Sequence, residues 1–205
     1  VALGLTIIFG LLDVINMSHG EFYAIGAYLA LALGAAGVSF WLLIVIVPLI
    51  MIPLGYVVES GLIQRVFNKP DQHVTTLPLT FGLGLVLEEV LKVIFGPNTQ
   101  RPPTPIPGAF DMFGIIMPNY RLFLILFGFA IIIAVALVVN RTPLGAMVRA
   151  AAFDRNMAAS LGVPVSRVYA GTFAFGIALA GLAGVLLAPV FSVFPTMGRD
   201  FIFMA

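Results

Sequence analysis

The chain alternates long uncharged stretches with short polar interruptions, and the lengths of the stretches predict its elements. Phe22–Val58 runs 37 residues without a charge, about 55 Å as one helix, too long for a single crossing of a hydrocarbon layer of roughly 30 Å. Gly34, Gly37 and Ser39 allow a tight reversal, which divides the run into spans near 22–36 and 40–58. Pro48 and Pro53 are expected to kink the second span. Further spans are predicted over 74–95, 121–140 and 168–191. The last two hold 18 uncharged residues at Leu122–Val139 and 24 at Val168–Phe191. Apolar runs of this length without period-two alternation predict helices rather than a β-barrel. The fold class expected is therefore an all-α integral membrane protein, a multi-span helical bundle of five full spans plus two incomplete ends. Val1–Leu12 is apolar but too short to cross, Val1 is no initiator, and Phe201–Ala205 stops inside an apolar run, so both ends are expected to be cut.

The interruptions set the sides. Arg141, Arg149, Arg155 and Arg167 stand against a single Asp154 between the last two spans, which places the 141–167 loop in the cytoplasm. Its centre, Ala146–Leu161, is rich in Ala, Met and Leu and is predicted to be one helix lying just outside the membrane. The polar segment 59–73, with Arg65 and Lys69, also falls on the cytoplasmic side. Segment 96–120 carries six prolines and one cation before Arg121, namely Arg101, and is expected to be an external loop. The sides then alternate without contradiction.

Composition adds the class. At 61% hydrophobic and 9% charged residues, against roughly a quarter charged in soluble domains, the chain belongs in a membrane. The net charge of +1 decides nothing, because topology follows the placement of cations. Cysteine is absent, which removes disulfides and thiolate metal sites. The two histidines lie 54 positions apart without a metal-ligand pattern, and no phosphate-binding G-x-x-x-x-G-K-S/T segment exists. No metal, cofactor, catalytic group or nucleic-acid partner is expected. If transport consumes ATP, another chain must supply it.

Three features are candidates for function. The segment DVINMSHGE, Asp13–Glu21, places Asn16, Ser18, His19, Gly20 and Glu21 at the start of a span, with Ser18 and Glu21 spaced as a capping box. A solvated, capped turn and a cavity-lining helix end both fit it. Glu88 and Glu89 lie within the 74–95 span, about 11 Å from its outer end, with Lys92 one turn beyond Glu88. An interfacial ion pair and a pathway-lining pair both fit that arrangement. Small residues recur every fourth position at Gly26, Ala30, Gly34 and at Gly176, Ala180, Gly184, Ala188, as close packing between helices or between subunits requires.

Two segments resemble a known family. GLTIIFGLLDVINMSHGEFYAIGAYLA is similar to the N-terminal signature of permease subunits of the branched-chain amino-acid ABC importers. RTPLGAMVRAAAFDRNMAASLGVPVSRVYAGTFAFGIALAGLAGVL is similar to their cytoplasmic coupling loop and following helix. Asn16, His19, Gly20 and Glu21 match the first pattern; Gly145, Arg149, Ala151, Asp154, Ala158 and Gly162 match the second. The family's later glycine-rich segment would lie beyond Ala205. The resemblance implies a pair of homologous permeases, two cytoplasmic ATPase subunits and a periplasmic solute-binding protein, in the lipid of a bacterial or archaeal inner membrane. With it the 146–161 helix is expected to be the ATPase contact, its small residues seated in a groove. The substrate-pathway candidates are Asn16, Ser18, His19, Gly20 and Glu21, with Glu88 added from its place in a span. Permeases for urea or short amides share the first signature, so the solute stays open between these and branched-chain amino acids. An ion-coupled secondary transporter would need midplane carboxylates, whereas Glu88 and Glu89 are off-centre. A membrane-embedded enzyme would need a nucleophile–base pair that DVINMSHGE does not supply.

Overall fold

The computed structural model describes residues 1–12, 16–66, 72–112 and 115–204. Asp13 and Lys69, both weighed above, lie outside them. The described chain is predominantly helical: α1 Ala2–Leu12, α2 His19–Ala35, α3 Phe40–Val58, α4 Gln64–Val66, α5 Gln72–Phe95, α6 Asn119–Arg141, α7 Pro143–Phe153, α8 Arg155–Ser160, α9 Val165–Phe191 and α10 Met197–Met204. Among the described residues, three helices are long and apolar enough to cross a membrane: Phe40–Ile63, Asn119–Arg141 and Val165–Phe191. The all-α, multi-pass membrane character expected from the charge-free runs is what the structure has. The α2 helix is shorter, at 17 residues, and α5 carries the Glu88, Glu89 and Lys92 charges.

The reversal at Gly34–Ser39 is a helix cap with a defined geometry. Gly37 takes φ +88°, its N–H bonds to the Gly34 carbonyl, and the Val38 N–H bonds to the Leu33 carbonyl. This is the Schellman pairing, and it needs a residue that tolerates the left-handed region. The second span extends further than expected. Instead of ending at Val58, it passes into a π-turn over Glu59–Ile63 and on through α4. Pro48 and Pro53 both lie inside α3, as do Pro78 in α5 and Pro189 in α9.

α9 is the axis of the molecule. α1, α2 and α3 pack along it, and its most apolar stretch is 67% buried, against 6% for α6. The small-residue stripes account for the closeness. A Cβ on Gly26 would lie 2.4 Å from the Gly181 Cα, and one on Gly184 would lie 2.3 Å from the Tyr23 carbonyl oxygen. The stripes are therefore used for packing within this subunit. Phe22, Tyr23, Met51, Phe173 and Ile177 fill the space around these contacts.

α6 touches the bundle mainly near its ends. The Tyr120 hydroxyl donates to the Leu186 carbonyl at 2.6 Å, and Trp41 meets Phe123 edge-on at 5.5 Å. The proline-rich 96–120 segment contains a two-stranded hairpin, Ala109–Met112 with Ile115–Pro118, which the turn and proline pattern did not indicate. Gln100 also pairs with Val193 through two backbone bonds of 2.8 and 2.7 Å, which ties this segment to the end of α9.

Candidate functional site

Two regions hold the residues picked out in the sequence: a buried polar cluster at the start of α2, and the α7–α8 module.

At the start of α2 the capping box does not form. Ser18 has helical backbone angles and its side chain makes no cap bond to the helix. Asn16 does the local work instead. Its Oδ1 accepts from the Ser18 N–H at 3.1 Å and from the Ser18 hydroxyl at 2.6 Å. An Asx-type turn of this kind satisfies the donors one step before the helix begins, and it competes with a serine cap for the same groups. The turn is tied to α5, where the Thr80 hydroxyl accepts from the Met17 N–H at 3.2 Å. Neither the solvated turn nor a solvated histidine survives: Asn16, Ser18 and His19 are all fully buried.

The five residues of this segment then separate by role. The His19 ring lies against α1, with Nε2 3.2 Å from the Val1 carbonyl oxygen. Gly20 permits backbone contact with α10, since a Cβ there would sit 2.0 Å from the Gly198 carbonyl oxygen. Glu21 points toward α5 and α10. It shares with Glu88 a small cavity of about 30 Å³, also lined by Met17, Phe81, Gly84, Leu85 and Arg199. That is room for one or two waters.

Glu88 is the electrostatic centre of this cluster. It is 3% exposed, and Lys92 Nζ lies 2.8 Å from its Oε1, as the i, i+4 spacing predicts. Lys92 also reaches Glu89 at 2.7 Å. The stronger partner came from elsewhere: Arg199 Nη2 on α10 lies 2.7 Å from both carboxylate oxygens. Sequence reasoning missed Arg199 because 111 positions separate the two residues. The available signal was a charged pair, Arg199–Asp200, eight residues beyond the end of an apolar span.

The α7–α8 module differs from the single helix expected over 146–161. It breaks at Asp154, which is extended at φ −151°, ψ 108° and caps α8 by accepting from the Met157 N–H at 2.9 Å. α7 begins in the same manner, with Thr142 accepting from the Gly145 N–H at 3.1 Å and Pro143 in its first turn. The residues matching the family pattern turn out to shape the module. A Cβ on Gly145 would lie 2.1 Å from the Val139 carbonyl oxygen, so only glycine lets α7 fold back on α6. Arg149 bonds to that same carbonyl. Gly162, at φ +86°, ends α8 with a second Schellman pairing, to Ala159 and Ala158.

Ala151 and Ala158 are each only 2% exposed and pack against the body of the protein. At these two positions the expected outward contact is corrected: they let the module lie close to its own bundle, whereas Ala146, Ala150, Ala152 and Ala159 are exposed. The exposed apolar side chains are larger. Leu144, Phe153, Met157 and Leu161 are 65%, 91%, 60% and 77% exposed. Among the described residues no cluster of His, Asp and Glu could hold a metal ion.

Comparison with known proteins agrees with this architecture. A family model described as branched-chain amino acid transport system / permease component matches residues 1–205. The chain is 28% identical over 211 residues to the high-affinity branched-chain amino acid transport system permease protein BraD of Pseudomonas aeruginosa, covering 94% of this chain and 67% of that protein. It is 28% identical over 208 residues to the corresponding permease protein LivH of Escherichia coli, with the same two shares. It is 29% identical over 210 residues to the permease protein LivM of the same organism, covering 91% of this chain and 48% of LivM. No solved structure matches. The chain thus spans about two thirds of the length of BraD and LivH. With a matching family model from its first residue to its last, it belongs to the permease components of branched-chain amino acid transport systems.

Proposed function

We propose that this chain forms part of the translocation pathway for branched-chain, hydrophobic amino acids, as one of two homologous permeases in an ATP-driven importer of a bacterial or archaeal inner membrane. Similarity to both LivH and LivM supports a paired arrangement. The observation that carries the mechanism is the α7–α8 module. It places four large apolar side chains in the open beside Arg141, Arg149, Arg155 and Arg167, while Gly145, Ala151 and Ala158 face inward. An apolar, rigid helical knob suits a groove on a cytoplasmic ATPase subunit, and its closure would be passed to α6 and α9, which the module connects. Glu21, Glu88 and Arg199 are the pathway candidates, and a periplasmic binding protein would deliver the solute from the opposite side.

Uptake by the complete complex in vesicles tests the reading. Tritiated leucine is expected to accumulate only with ATP, both ATPase subunits and the loaded binding protein. Uptake driven by an ion gradient without ATP would overturn it, and uptake of acetamide or urea in place of leucine would overturn the solute class. Phe153→Asp is expected to weaken ATPase docking by about 2–4 kcal/mol, the range of a buried aromatic hot spot, read as loss of the ATPase subunits on co-purification.

The reading also assigns sides to five crossings, with 59–73 and 141–167 cytoplasmic and 96–120 external. In this cysteine-free chain, Ser160→Cys should react with an impermeant maleimide only from the cytoplasmic face, and Thr104→Cys only from outside. Labelling of Ser160→Cys on intact cells would sink the topology.

A further inference from the structure

Two buried carboxyls each carry an oxygen with no hydrogen-bond partner among the described residues, Glu21 Oε2 and Glu59 Oε2. Of the two, Glu21 lines a cavity, the space of about 30 Å³ that it shares with Glu88. Glu21 is 4% exposed, and among the described residues no ion pair reaches it. Its neighbour holds the cations: Arg199 Nη2 and Lys92 Nζ lie 2.7 and 2.8 Å from Glu88. A buried carboxylate without a compensating cation is costly, so this one suits a ligand that brings its own positive charge.

The surroundings say what kind of ligand. The cavity volume fits an ammonium group, which is the size of a water. Met17, Phe81 and Leu85 make the apolar part of its lining. Phe81 and Leu85 are exposed, so a solute anchored at Glu21 would lay an apolar side chain along them. Relative to Phe81, Leu85, Glu88, Glu89 and Lys92 stand at i+4, i+7, i+8 and i+11, on one face of α5. Glu89 is exposed on that face, and an exposed carboxylate within a span faces protein or water rather than lipid. On the other side α10 covers the carboxyl, since a Cβ on Gly198 would lie 2.6 Å from Glu21 Oε2.

We propose that Glu21 binds the ammonium group of the transported amino acid, with Met17, Phe81 and Leu85 as the wall for its apolar side chain. The inference rests on the reading of the chain as an amino-acid permease and names the residue that selects the solute. An ammonium group donates charge-assisted hydrogen bonds to a carboxylate; the neutral amides of urea or acetamide do not carry that charge. Arg199 is the cation that meets the solute carboxylate. It is partly exposed, and its release leaves Glu88 paired with Lys92.

The test is binding of tritiated leucine to the purified complex of both permeases and both ATPase subunits, with unlabelled competitors. The hydroxy-acid analogue of leucine has a hydroxyl in place of the ammonium. In the wild type it is expected to compete about tenfold less well than leucine, the scale of one hydrogen bond to a charged group. Glu21→Gln should bind leucine about tenfold more weakly and lose most of that discrimination, because an amide does not favour the cation. Glu21→Asp keeps a carboxylate and should keep the discrimination. A purely structural role would weaken binding without moving the ratio. Absence of leucine binding to the wild type, equal competition by the two compounds, or an unchanged ratio in Glu21→Gln each overturns the inference. So does loss of membrane accumulation in both Glu21→Gln and Glu21→Asp, which would make the role one of folding alone. Competition by ammonium chloride as effective as that by leucine also overturns it, in favour of a bare cation. The two readings fail separately. ATP-driven leucine uptake by the wild type with an unchanged ratio in Glu21→Gln removes this inference alone, whereas absence of that uptake removes the permease reading itself.

Discussion

Gly26→Leu is expected to abolish accumulation of the protein in the membrane, whereas Gly128→Leu should leave it near normal. At Gly26 even a methyl group has no place, because a Cβ would lie 2.4 Å from both the Cα and the carbonyl oxygen of Gly181. The obstacle is backbone, which cannot swing aside as a side chain can. To admit leucine, α2 and α9 must separate, and with them the contacts of Phe22, Tyr23, Ala27 and Ile177. Overpacking a core against movable side chains costs about 1–3 kcal/mol, and a backbone obstacle exceeds that range. Against a typical folding stability of about 5–15 kcal/mol, such a loss leaves little of the native state. Gly128 is the control, since a Cβ there meets nothing within 4 Å on the exposed helix α6. The comparison is read by quantifying both variants in the membrane fraction and by their thermal aggregation in detergent. Wild-type behaviour of Gly26→Leu would mean that α2 and α9 do not meet in this way.

Substitution of Glu88 should separate according to what replaces it. Glu88→Ala takes from Arg199 and Lys92 the anion they share, leaving Lys92 with Glu89 alone. Removing one partner from a fully buried pair costs about 3–5 kcal/mol. Arg199 is 45% exposed and can turn to water, so the expected cost is smaller, about 1–3 kcal/mol. That should lower both membrane abundance and thermal stability. Glu88→Gln keeps an oxygen that accepts from both cations and is expected to accumulate normally. Its transport rate then decides the role of the cluster. Loss of leucine uptake at normal abundance places Glu88 in the pathway, while retained uptake makes it a structural centre that holds α10 on α5.

The helices were legible because span length is set by the membrane and read directly from charge-free runs. The small-residue stripes on α2 and α9 were legible as close-packing faces, but not that each would be the other's partner. Other features depend on where distant segments meet. Nothing local to Glu88 points to Arg199, and nothing in Glu59 marks it as buried, because it opens a segment that reads as a polar loop. The break at Asp154 was hidden by its alanine-rich surroundings, where helix propensity is high on both sides and a single capping side chain decides the outcome. In the coupling segment, the identity of the pattern was readable but its direction was not. In the single helix expected, Ala151 and Ala158 would lie two turns apart on one face, yet spacing alone does not say whether that face turns toward the bundle or away from it.

The contrast between α6 and α9 has a consequence for how the chain is made. α6 has a mean hydropathy of 3.3 with 6% of its apolar stretch buried, while α9 has 2.2 with 67% buried. The helix that enters lipid most readily is thus the one that contributes least to the packed centre. α2 emerges early in synthesis, yet its glycine face finds its complement only when α9 follows, after three of the other long helices have been threaded. Throughout that interval the face carrying Gly26 lacks the glycine surface of α9 that covers it in the folded chain, and membrane proteases and insertion factors can inspect it. A chain interrupted before α9 should be recognised and degraded despite having inserted correctly up to that point.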